Sequence, residues 1–256
     1  MKNLKSLFLA TLAVGAMTLT SCLHILEDVT FHDKGNGTYK MTLDMSEVKT
    51  MMEAMKGMAP DSASTDSTAI VDGVMPGGMP AEQDNSMSQM GEQMSSVAST
   101  LKGVQGIANV VEVNDTATYT FGYSFDFADV AALNRALKII NKDKFDSKTD
   151  EVFKFNGKSF ERLSSGDIGG EMKKTLAENE GEDAEGGEGS MEMMKMMFAD
   201  MTYKQQYHFP DRQVKKADNS LAELSDDNHT ISITIKPFDE EQAKQKVSVA
   251  TTAKLK

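Results

Sequence analysis

Scarcity defines this chain before any motif does. It has one cysteine and no tryptophan in 256 residues, and only five prolines. A single cysteine excludes an internal disulfide, so packing alone must hold the fold. No run of 18 apolar residues follows that cysteine, which leaves no candidate membrane-spanning helix in the body of the chain. Bases are outnumbered as well: 27 Lys and Arg face 39 Asp and Glu, for a formal charge of −12. A surface this negative argues against nucleic acid as a partner and against direct docking on anionic headgroups.

What is present begins with an export pattern over residues 1–21. Lys2 and Lys5 form a positive start, and Ser6–Leu19 supply a short apolar core followed by small residues. "LTSC" then places Leu19, Thr20 and Ser21 directly before Cys22. This stretch resembles the lipobox of bacterial lipoprotein signals. The resemblance implies a diacylglyceryl thioether on the Cys22 thiol, cleavage before Cys22, and acylation of the new amino group by palmitate or a related chain. Acyl chains would account for the lone sulfur and supply a durable anchor, at about 0.8 kcal/mol per buried methylene. Removing the signal also removes Lys2 and Lys5 and takes the formal charge from −12 to −14. Leu23 follows the cysteine where an inner-membrane retention aspartate would stand, and Glu27–Asp28 lie too far on to resemble the acidic tags of Bacteroidota surface lipoproteins. The expected location is the cell envelope, on the outer membrane facing the periplasm.

After Cys22 the pattern has period two. Ile25, Glu27, Val29 and Phe31 share one face, a turn follows at 33–37, and "TYKMTLDM" returns as the second strand of a hairpin. Helical spacing then runs through Val48, Met51, Met52 and Met55. This first unit spans 22–58. Residues 59–86, rich in Pro, Gly, Ser and Asp, read as a disordered insertion. Over 87–165 the pattern gives helix, hairpin, helix, hairpin, with turns at Asn114–Asp115 and Asn156–Gly157. A second insertion, 166–189, is acidic and Gly-rich. A Met-rich helix and C-terminal strands fill 190–238, and 239–256 read as a polar tail. "TYKMTLDMSEVKTMMEAMK" and "TYTFGYSFDFADVAALNRALK" echo one another, which is consistent with a duplicated strand–strand–helix unit.

These segments predict an α+β fold: an antiparallel sheet of β-hairpins, helices packed on one face, and two disordered insertions. The hairpin-then-helix start and the late stretch "YHFPDRQVKKADNSLAELSDDNHTISITI" are similar to the LppM-type domain of mycobacterial and related lipoproteins. That resemblance implies an α+β envelope domain with no catalytic residues to carry over.

No catalytic motif accompanies this frame. Serines lack a G-x-S-x-G setting, "GVQG" and "GDIGG" do not form a phosphate-cradling loop before a helix, and the four histidines lack metal-ligand spacing. The acidic loop has no ordered Ca²⁺ spacing. Methionine is abundant, at 20 residues. Soft thioethers such as Met193 and Met197 could gather Cu(I), but their i, i+3 and i, i+4 spacing reads first as core packing. The expectation is therefore no enzyme, no cofactor and no metal, with a noncatalytic envelope interaction or scaffold module as the first reading. The alternative is an amphiphile carrier or sensor whose apolar groove is lined by Met51, Met55, Tyr119, Phe121, Tyr123, Phe125, Met194 and Met197. The partners implied are the membrane, through the anchor at Cys22, and an envelope protein or a lipid.

Overall fold

The structure, a computed structural model, describes residues 23–50, 53, 96–141, 151–163, 200–239, 241–242 and 248–256. Cys22, the signal segment, both insertions and most of the Met-rich segments lie outside these residues. The described chain is a β-rich α+β fold made of two sheets that are not closed into a barrel.

The first hairpin pairs β1 (His24–Phe31) with β2 (Gly37–Asp44) in the alternating register expected of it, from His24 opposite Asp44 to Phe31 opposite Gly37. Two glycines make this turn possible. Gly35 adopts φ +81°, and a Cβ on Gly37 would fall 1.7 Å from the Thr30 carbonyl oxygen. The second hairpin joins β3 (Ile107–Asp115) to β4 (Thr120–Phe127). Its turn lies beyond the Asn114–Asp115 position that the sequence suggests. Asp115 still ends β3, and its Oδ1 accepts the N–H groups of Ala117 and Thr118, so the chain reverses over 116–119. β2 and β4 pair antiparallel, which gives the order β3-β4-β2-β1. The two echoed hairpins thus flank the β2/β4 pair as a local dyad would place them.

A purely antiparallel sheet is not what forms. β5 (Phe153–Phe155) and β6 (Ser159–Arg162) make a hairpin in a separate sheet, and β7 (Thr202–His208) then pairs with β1 in parallel. Hairpin reasoning pairs neighbours in sequence, and β1 lies some 170 residues before β7, so this contact carries no local signal. β8 (Val214–Ala217) joins the second sheet, whereas β9 (Ala222–Leu224) and β10 (Thr230–Ile235) extend the first. The expected polar tail also differs from the structure. Residues 251–255 form β11 (Thr251–Leu255), which lies between β6 and β8 with Thr251, Ala253 and Leu255 buried. Alternation of small and polar residues hides this strand, because its inward positions include a threonine and an alanine. The sheets are β3-β4-β2-β1-β7-β10-β9 and β5-β6-β11-β8.

Among the described residues one helix packs at length on the inner face. α1 (Val130–Ile140) starts at Asp129, whose carboxylate accepts the Ala132 N–H, and it buries Ala132, Leu133, Ala136 and Leu137. Shorter helical stretches occupy 46–50 and 96–101. The inner face of the large sheet meets the small sheet and α1 in one core. Phe31 sits at its centre, with ring contacts at 5.2–6.2 Å to Phe127, Phe153, Phe155, Phe160 and Phe209. A second cluster gathers Leu23, Leu43, Met45, Val48, Phe121 and Met201 at the end of the sheet where β1 begins.

Candidate functional site

A buried polar layer lies in the interior next to these clusters. The alternation that turns Ile25, Val29 and Phe31 inward also turns Glu27 inward, to 3% exposure. Its neighbours in register are Met41 on β2 and Gln205 on β7. Arg162 reaches it from β6 of the other sheet with a bidentate contact, Nε to Oε1 at 3.0 Å and Nη2 to Oε2 at 3.1 Å. Tyr203 donates to Oε2 at 2.6 Å, and Tyr207 donates to Oε1 at 2.8 Å. Four donors therefore occupy the roughly four acceptor positions of the carboxylate.

Burial pushes the Glu27 carboxyl up. The charge and hydrogen bonds of Arg162, with those from Tyr203 and Tyr207, outweigh it and hold the group below its usual range. Burial likewise opposes the charge on Arg162, yet Glu27 and the surrounding tyrosines keep it firmly protonated. Burial and then the negative charge of Glu27 push Tyr39, Tyr123, Tyr203 and Tyr207 upward, so all four hydroxyls stay protonated. A carboxylate that is saturated with donors and shut away from solvent has no acceptor left for a substrate proton. The layer welds the two sheets together and offers no general base. Gln205 completes it imperfectly: its Nε2 lies 3.4 Å from the Tyr203 hydroxyl, and its Oε1 has no partner.

Tyr119, Phe121, Tyr123 and Phe125 do share one side of the second hairpin. Tyr123 and Phe125 lie in the main core, 3% and 1% exposed, stacked on one another and on Tyr39. Phe121 belongs to the second cluster, with Tyr119 packed at its edge. These rings therefore fill the interior. Cys22, Met51, Met55, Met194 and Met197 fall outside the described residues. Met201, at the end of the Met-rich stretch, is fully buried in the second cluster.

The histidines are spread over the molecule. His24 bonds the Thr202 hydroxyl at 2.7 Å, His32 meets Asp211 at 3.0 Å, His208 lies between Thr230 and Asp28, and His229 donates to the Phe209 carbonyl. Among the described residues no group of three or more His, Cys, Asp or Glu side chains is placed to hold a metal ion.

The opposite face of the large sheet is polar and reaches solvent. Its central rows read Thr42–Leu26–Lys204 and Lys40–Asp28–Gln206 across β2, β1 and β7. A shallow cavity of about 320 Å³ opens around Leu26, lined by His24, Lys40, Thr42, Asp44, Thr202 and Lys204 among others. In the sequence these residues are only the solvent side of an alternating pattern. Lys40 and Lys204 stand in adjacent rows because β2 and β7 both pair with β1, a juxtaposition across 164 residues that strand periodicity does not encode.

No protein-family profile matches the chain, and no curated protein matches it. Among solved structures it is similar to the NMR structure of the folded domain of the Mycobacterium tuberculosis LppM protein. Identity is 11%, coverage is 93% of this chain and 92% of that one, and the TM-score is 0.35.

Proposed function

We propose that the chain is an envelope lipoprotein, anchored through Cys22 to the outer membrane and facing the periplasm, whose folded body is a noncatalytic interaction module. The observation that carries this reading is the absence of any spacer between the candidate acyl-bearing residue and the fold. Leu23 is already buried, its carbonyl accepts the Thr202 N–H at 2.9 Å, and β1 starts at His24. A residue spans at most about 3.6 Å. Acyl chains on Cys22 would hold the first rows of the sheet beside the headgroups, and the body would work within reach of that surface. The saturated Glu27 layer supports a structural use of the one acid that is buried among the described residues, and the open polar sheet face is the surface such a module would present.

Native mass spectrometry of the full chain, extracted from membranes in mild detergent, tests the module reading. The expected spectrum shows the acylated chain with a protein partner at fixed stoichiometry. A chain carrying stoichiometric non-covalent lipid and no protein would overturn it in favour of an amphiphile carrier.

A further inference from the structure

On the four strands β4, β2, β1 and β7, most charged and histidine side chains of the open face have a partner. Asp126 accepts from Thr38 and Asn109, Asp28 meets His208, His208 meets Thr230, and His24 meets Thr202. Asp44 accepts the Ser46 N–H. On the four strands β4, β2, β1 and β7, the charged groups of this face without an ion pair or hydrogen bond among the described residues are Lys40 and Lys204. Both are exposed, and both line the cavity around Leu26. The hydroxyl of Thr42, which belongs to the same wall, is shielded from water and has no partner. Two solvated ammonium groups without an ion pair and one shielded, unpartnered hydroxyl therefore border the same hollow.

We propose that this hollow is a binding site for a phosphate-type oxyanion, held between the ammonium groups of Lys40 and Lys204 over Leu26. The two lysines stand on strands roughly 10 Å apart in the pairing direction, a span that two flexible four-carbon stems can close. Ammonium groups act as point charges on separate oxygens, which suits a tetrahedral anion with several oxygens. Planar recognition of a carboxylate favours the fork of an arginine, and no arginine lines the hollow. Thr202 adds a hydroxyl to the wall, and Leu26 gives an apolar floor for the ester side of the ligand. Asp44 in the wall and Asp28, opposite Lys40 in register, offset the two ammonium charges, so the site selects a small anion by geometry and not by field strength. A free phosphorylated solute and a phospholipid headgroup carry the same group. The site stands independently of the anchor proposed at Cys22.

The test uses the full chain in neutral detergent micelles with ¹³C-methyl-labelled leucine, where the Leu26 methyls report locally and those of Leu133 report on the core. Inorganic phosphate should shift Leu26 saturably beyond chloride at equal ionic strength, leave Leu133 in place, and bind at least tenfold more weakly to the K40Q/K204Q variant than to K34Q. Saturation by inorganic phosphate identifies a free anion as sufficient. Saturation only when the micelles contain an anionic phospholipid assigns the site to a headgroup. The proposal is overturned if neither moves Leu26 beyond the chloride control, or if K40Q/K204Q responds as the wild type does.

Discussion

Glu27 shows at the scale of one residue how a strand pattern can contain its own exception. Period two in "HILEDVTF" assigns Glu27 to the same side as Val29 and Phe31, so its burial follows from the sequence once that side is known to be the core. Its partners do not follow. Arg162 lies 135 residues away, and Tyr203 and Tyr207 lie 176 and 180 residues away. Replacing the acid with Glu27→Gln leaves Arg162 buried without a counter-charge, which should cost about 3–5 kcal/mol. Exchanging both, as E27L/R162M, should recover most of that loss, since an apolar pair of similar volume avoids desolvating two ions. Urea unfolding followed by the near-UV circular dichroism of the buried tyrosines measures both, because the chain has no tryptophan to report.

The same pair gives a signed pH dependence. The folded-state carboxyl of Glu27 titrates below its ordinary value, so its contribution is complete above the unfolded value of about 4.3 and is lost as pH falls through the lower folded value. Stability should therefore drop on the acid side, and E27Q should lose that part of the acid limb while keeping the contributions of exposed acids such as Asp211 and Asp227, whose hydrogen bonds also hold them low. An acid limb unchanged in E27Q would contradict this assignment.

Elements differ in how far local signals define them. α1 is legible because an Asp cap, an apolar stripe and good helix formers coincide at Asp129–Ile140. The Asn156–Gly157 hairpin is legible for a similar reason: Gly157 takes φ +77°, and the Asn156 side chain accepts the N–H groups of Lys158 and Ser159. β11 is not legible, because a strand in the middle of a small sheet needs long-range partners that a short alternating segment cannot reveal. How α1 meets the second sheet is also hidden in the sequence. Asn134, which interrupts the apolar stripe, is buried, donates to the Phe153 carbonyl, and accepts the N–H groups of Val152 and Phe153. Asn134→Ala would leave these backbone groups unpaired between α1 and β5, at about 1–3 kcal/mol for each group that water cannot reach. Hydrogen exchange should show faster exchange at Val152 and Phe153, with Leu133 and Leu137 still protected in α1. Equal exchange in variant and wild type would remove Asn134 from this role.

For the whole molecule, the β-rich α+β class is readable from hairpins and a capped helix, whereas the two-sheet arrangement is not. The parallel contact of β1 with β7 closes the sheet across most of the chain length and sets both faces at once. On the inner side it joins Glu27 to Gln205 and Tyr207, and on the outer side it brings Lys204 beside Leu26 and Lys40. One long-range pairing thus creates both the buried layer and the open hollow, and neither has a local motif. The start of β1 is the part that sequence and structure describe in continuity. An alternating strand begins two residues after Cys22, and its first contacts, Leu23 with Thr202 and His24 with Thr202, belong to the folded body.

The most direct measurement is the intact mass of the N-terminal peptide from membrane-extracted protein, compared between wild type and Cys22→Ala. The wild-type peptide should begin at residue 22 and carry acyl mass, in a protein that enters the detergent phase, with both features lost in C22A. A wild-type peptide with an unmodified thiol, from protein found wholly in the aqueous phase, would contradict it.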